Sequence, residues 1–189
     1  MKWTFLFLFL AVGTFASGQA SYLVTNFSMK IKGTSNLHDW ESSAYEVRAN
    51  GTFTVAAGTL KAIQSLYMEI PVKAIKSTKG SMMDNKTYDA LKADANPNII
   101  FKLEKVLSFG KRADFYDINV VGNLTLAGTT QKIDMYVQGR VDGNGNLIFT
   151  GSKKLKMTDF KINPPTALLG TLTTGNEVEI DFQVTFKPI

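Results

Sequence analysis

Apolar and polar residues alternate one for one through much of this chain, most cleanly near the C-terminus. There Val178, Ile180, Phe182, Val184 and Phe186 are interleaved with Glu177, Glu179, Asp181, Gln183, Thr185 and Lys187. A period of two gives an extended strand one apolar face and one polar face. Phe27, Met29 and Ile31 repeat the pattern near the start, and so do Leu66, Met68, Ile70 and Val72; Ile99, Phe101 and Leu103; and Ile133, Met135 and Val137. Turn residues fall between the runs at Ala57-Gly58, at Ala127-Gly128-Thr129 and at Asp142-Gly143-Asn144-Gly145-Asn146. The last is the strongest hairpin signal, because Asp-Gly and Asn-Gly supply the positive φ angles of a tight turn. Eight strands result, over roughly 22–32, 45–56, 60–73, 98–109, 114–126, 130–142, 146–158 and 176–187. Many are ~35 Å long. The fold predicted is all-β, an eight-stranded antiparallel up-and-down barrel, since closure removes exposed edges.

Two segments break the alternation. Ser81 to Asp94 reads as one helix, with Asp84 as N-cap, Met83, Tyr88 and Leu91 as packing positions, and Asn96-Pro97 ending it. Asp159 to Gly175, containing Pro164-Pro165, reads as an irregular crossing before the last strand.

The N-terminus changes the picture. Lys2 is its only charge, an apolar run follows from Trp3 to Val12, and small residues close it at Ala16, Ser17, Gly18 and Ala20. Residues 1–20 are expected to be a signal peptide, cleaved after Gly18 or Ala20, leaving one domain over 21–189. The apolar run is shorter than the ~20 residues of a spanning helix, and no later segment is apolar enough to cross as a helix. An exported chain without cysteine fits a periplasm and excludes thiol catalysis and thiolate metal sites. Without Lys2 the 21 basic residues fall by one against 16 acidic, a net charge of +4. No basic run exceeds the two residues of Lys153-Lys154, which gives nucleic acid no footing.

An eight-stranded barrel is filled by its own side chains or holds one small ligand. The inward candidates are Phe27, Met29, Phe53, Leu66, Met68, Ile70, Phe101, Leu103, Leu124, Leu126, Met135, Val178, Ile180 and Phe182. Their methionines suit an irregular apolar guest, although the same residues would also make a dry core. An irregularity at Gly122 would shift register and turn Leu124 and Leu126 outward. Trp40 and Tyr88 suit a tunnel mouth, where an amphipathic ring meets both lipid and water; for Trp40 the alternative is to cap one end of the core. Outside the N-terminal segment the chain has one histidine and one tryptophan, His38 and Trp40. His38 beside Asp39 has the residue types of a general base and its partner. Neighbours on a strand point to opposite faces, however, and no serine elbow or phosphate loop accompanies them. The expectation is a structural role in the path between strands, with contact to a ligand headgroup as the alternative, and with no catalytic residue, no metal and no cofactor.

In the order Gly33 to Trp40, Asp84 to Leu91, Asn96-Pro97-Asn98-Ile99-Ile100-Phe101, Val121 to Gly128, and Thr158-Asp159-Phe160-Lys161-Ile162-Asn163-Pro164-Pro165, the chain resembles the YceI-like family of exported bacterial lipocalin-like proteins. Where many members carry glycine after the Asp-Phe pair, this chain has Lys161. The resemblance implies a barrel with a helix, enclosing a long apolar tunnel for a polyisoprenoid, an isoprenoid-quinone-type lipid or a similar amphiphile. It also implies a carrier or storage protein rather than an enzyme, and a homodimer would fit it. Three other readings stand beside that one: a lipid-acting enzyme centred on His38 and Asp39, a ligand-free interaction module, and an outer-membrane barrel, which has the same alternation turned inside out.

Overall fold

A computed structural model describes residues 18–167 and 170–189. The N-terminal part of the proposed signal peptide, residues 1–17, lies outside the described residues. Eleven strands form: β1 (Gln19–Ser35), β2 (Trp40–Ala44), β3 (Arg48–Ala56), β4 (Thr59–Pro71), β5 (Ile75–Ser77), β6 (Asn98–Arg112), β7 (Phe115–Leu126), β8 (Thr129–Val141), β9 (Leu147–Lys156), β10 (Thr166–Ala167) and β11 (Leu172–Pro188). One helix, α1 (Ser81–Ala90), and 3-10 turns at Val72–Ala74 and Met157–Phe160 complete the described elements.

Eight strands close an antiparallel barrel in the order β1, β3, β4, β6, β7, β8, β9, β11, with β11 returning to β1. The closing pair is the longest, from Tyr22 opposite Pro188 to Ser35 opposite Thr174. These eight are the strands the alternation predicts. Apolar side chains face inward and most charged ones outward, the reverse of a lipid-facing barrel. No helix among the described residues is long and apolar enough to cross a membrane.

The turns follow their residues. Ala57-Gly58 and Ala127-Gly128 both have positive φ, as a tight two-residue hairpin requires. The Asp142–Asn146 hairpin is looser than its sequence suggests, with positive φ only at Gly145. Here the Asp142 carboxylate organises the loop by accepting the Asn144 and Asn146 N–H groups at 2.8 and 2.9 Å. The expected irregularity near Gly122 falls on its partner strand. β6 carries extra residues at Glu104 and Leu107, each shifting its register against β7. Leu103, Val106 and Phe109 therefore face inward while Leu107 is left exposed. The Phe101 ring packs over Gly122, where a Cβ would meet its Cζ at 2.3 Å. Leu124 accordingly stays inside and buried.

The hairpin end of the barrel is plugged by aromatic rings. Phe53 and Phe186 are fully buried, and Phe53 lies with its centroid 5.2 Å from Tyr22, 5.7 Å from Phe149 and 5.6 Å from Phe186. Such ring pairs are worth ~0.5–1.5 kcal/mol each beyond burial. At this end β4 and β6 diverge, because their pairing stops at Tyr67 opposite Lys102. Tyr116 reaches across from β7, and its hydroxyl accepts the Leu60 N–H at 3.0 Å.

The opposite end is covered by α1, the Met157–Phe160 turn and the short β2, β5 and β10. The sequence reading needs correction at the helix. Its N-cap is Gly80, not Asp84, and it stops at Ala90 instead of reaching Asp94. Asp84 is buried in the first turn and reaches back to β5. There it accepts the Ser77 N–H at 2.6 Å and faces the Lys76 Nζ at 3.6 Å.

Candidate functional site

Between the aromatic plug and the helix-covered end lies a cavity of about 280 Å³. Binding pockets for small organic ligands run from roughly 300 Å³ upward, so this volume falls just below the lower end of that range. Its lining extends along β11 from Thr174 to Phe186. At ~3.3 Å per residue and a barrel tilt of ~40°, that stretch of strand, plug included, covers ~30 Å along the axis.

Fourteen of the sixteen candidate residues line the cavity: Met29, Trp40, Phe53, Leu66, Met68, Ile70, Phe101, Leu103, Leu124, Leu126, Met135, Val178, Ile180 and Phe182. They come from eight different strands, so the site exists only once the barrel has closed. Phe27 also faces inward but packs into the core cluster beside the plug, outside the lining.

Tyr88 is not at the mouth. It lies one turn after Asp84 on the helix face turned toward β5, where its hydroxyl stands 3.0 Å from the Lys73 carbonyl and 3.1 Å from that of Ile75. It also accepts a hydrogen bond from Lys76 Nζ at 2.6 Å. Asp84 and Tyr88 thus strap the helix down, and Met83, Lys86, Thr87, Ala90 and Leu91 are presented to the cavity. Spacings of three and four place the members of each set on a common face.

Trp40 opens β2 opposite Gly33, its indole Nε1 donating to the Thr34 carbonyl at 3.0 Å. The residues before it form a tight loop held by Ser35. The Ser35 hydroxyl donates to the His38 carbonyl at 2.7 Å and accepts the N–H groups of Leu37 and His38. The His38 Nδ1 lies 3.0 Å from the Asp39 backbone oxygen, and His38 is exposed and outside the cavity lining. His38 and the Asp39 carboxylate therefore do not form an acid–base pair facing the cavity.

Sequence reasoning found the apolar wall and missed its cations. Lys86, Lys153 and Lys156 line the cavity, and no carboxylate lines it among the described residues. Lys153 carried a readable signal, because it has the inward parity of Phe149, Gly151 and Leu155 on β9. Lys86 lies on α1 and has no strand parity, whereas Lys156, the last residue of β9, shares the outward parity of Lys154 and reaches the lining only at the covered end.

Relatives decide the family. The model of the YceI-like domain matches residues 21–186. The chain belongs to the YceI-like family. Its barrel is similar to that of Burkholderia cenocepacia BcnA, with a TM-score of 0.65 at 17% identity, covering 84% of this chain and 95% of that one. It is also similar to a polyisoprenoid binding domain from Saccharophagus degradans implicated in plant cell wall breakdown, with a TM-score of 0.68 at 12% identity, covering 91% and 100%. A YceI protein from Campylobacter jejuni gives a TM-score of 0.57 at 20% identity, covering 78% and 84%. At these identities the likeness is one of fold. No curated protein matches the chain.

Proposed function

We propose that this YceI-like protein is an exported carrier that sequesters a polyisoprenoid, an isoprenoid quinone or a similar long-chain amphiphile in its barrel, without covalent chemistry. The observation that carries this reading is a continuous apolar wall that its own side chains do not fill. The hairpin end is packed tightly by Phe53, Phe149 and Phe186, whereas the wall from Met29 to Val178 faces open volume. Each buried CH₂-sized group contributes ~0.8 kcal/mol, so one five-carbon unit contributes ~3–4 kcal/mol before ordering costs. The apolar part of the wall selects the tail by length and shape. The polyisoprenoid-binding relative from Saccharophagus supports the ligand class. The segment from Lys2 to Ala20 and the absence of cysteine support export to a periplasm.

A lipid-acting enzyme centred on His38 is disfavoured, because that side chain bonds loop backbone outside the cavity. A panel of prenyl alcohols of increasing length tests the carrier reading, with affinity read by Trp40 fluorescence and thermal stability. Affinity should rise with each isoprene unit until the barrel is filled. No response to any chain length would sink the reading. Fractionation of cells expressing the full-length chain should place the protein in the periplasm; retention in the cytoplasm would refute export.

A further inference from the structure

The three lysines of the cavity wall are unusual company for an otherwise apolar surface. Lys86 is half-buried on the cavity face of α1, and Lys156 stands exposed at the end of β9. Neither takes part in any ion pair among the described residues, although Glu177 is the register partner of Lys156. Lys153 faces inward on β9 and is tied only loosely, its Nζ 3.4 Å from Asp134 on the exposed side of β8. Among the described residues no acidic side chain lines the cavity to balance them. All three lie toward the helix-covered end, away from the aromatic plug. An amphiphile whose tail fills the barrel from the plug outward would place its head among them.

We infer that the cavity selects an amphiphile with an anionic head, such as a prenyl phosphate, over its neutral counterpart, with Lys86 as principal contact and Lys156 and Lys153 alongside. This rests on the reading that the barrel takes a lipid tail. A half-buried ammonium gains more from an anion than an exposed one, because less water screens it and the hydrogen bonds are charge-assisted. Lysine stems also cover apolar surface without any ligand. Methionine substitutions separate the two roles, since they keep an unbranched apolar side chain and remove the charge.

The test is calorimetric titration of delipidated protein with geranylgeranyl phosphate, geranylgeraniol and inorganic phosphate. The phosphate ester should bind about tenfold or more tighter than the alcohol at low salt, and the gap should narrow as salt is raised. A Lys86→Met/Lys153→Met/Lys156→Met variant should bind the ester no better than the alcohol. Equal affinities in the wild type would overturn the inference, as would equal losses for both lipids in the variant. Inorganic phosphate binding as tightly as the ester would identify a free-anion site and overturn it too. If neither lipid binds, the tail-binding reading fails first and the inference with it.

Discussion

Trp40 packs directly over Gly33, its partner across the β1–β2 pair. A Cβ added at Gly33 would fall 2.3 Å from the indole Cζ2 and 2.6 Å from Cε2. The missing side chain is what lets a large ring enter the barrel wall at the covered end, fixed by its bond to the Thr34 carbonyl. Gly33→Ala should therefore push the ring out of place, at a cost of ~1–3 kcal/mol for overpacking. Tryptophan emission and chemical denaturation check this together, and an unchanged spectrum would show that the contact does not hold the ring.

The plug and the cavity should respond oppositely to volume. Phe53→Ala removes a fully buried ring from the plug and is expected to cost ~3–5 kcal/mol. Met135→Trp adds bulk where space exists, so it should stay within ~1.5 kcal/mol of wild type while abolishing lipid binding. Denaturation midpoints and a prenyl-binding assay on both variants test the contrast. A strongly destabilised Met135→Trp would mean that the cavity is not free volume.

Lys161 ends the Met157–Phe160 turn in the left-handed region, with φ at 56° and ψ at 32°. A side chain is strained there, and glycine is not. Lys161→Gly should stabilise the protein by ~0.5–1 kcal/mol, net of the entropy glycine adds to the unfolded chain. A fall in thermal midpoint would contradict this.

How much of this was legible in the sequence depended on periodicity. The eight barrel strands were readable because a half-buried strand must alternate, and the wall residues followed from the parity of Met29, Leu66 or Val178. β2 and β5 were not, since Trp40-Glu41-Ser42-Ser43-Ala44 and Ile75-Lys76-Ser77 are short and mostly polar. The inserted residues Glu104 and Leu107 were equally hidden, because register shifts belong to a pair of strands and not to either alone. Tyr88 was placed by residue type as a mouth residue. Its helical spacing from Asp84 puts it instead on the strapping face.

The Lys32–Asp181 bridge, 2.6 Å across the closing β1–β11 pair, sets a pH dependence. Its hydrogen bond from Lys32 holds the Asp181 carboxyl below the usual aspartate range. A carboxyl depressed on folding contributes stability above its unfolded pKa, ~3.9, and loses it as pH falls through the lower folded value. Asp181→Asn should thus lower the thermal midpoint slightly at neutral pH, and the gap should close in acid. The bridge is exposed, so the effect is small and fades with salt. A gap that widens on acidification would contradict the assignment.

The central claim is that the barrel holds a lipid. It is tested most directly by expressing the full-length chain in a Gram-negative host, purifying the protein from the periplasm without detergent, and analysing an organic-solvent extract by mass spectrometry. A stoichiometric prenyl-chain lipid is the result predicted. An extract without lipid, followed by no change in Trp40 fluorescence or thermal stability across a panel of prenyl chains, would contradict it and leave an interaction module without a ligand.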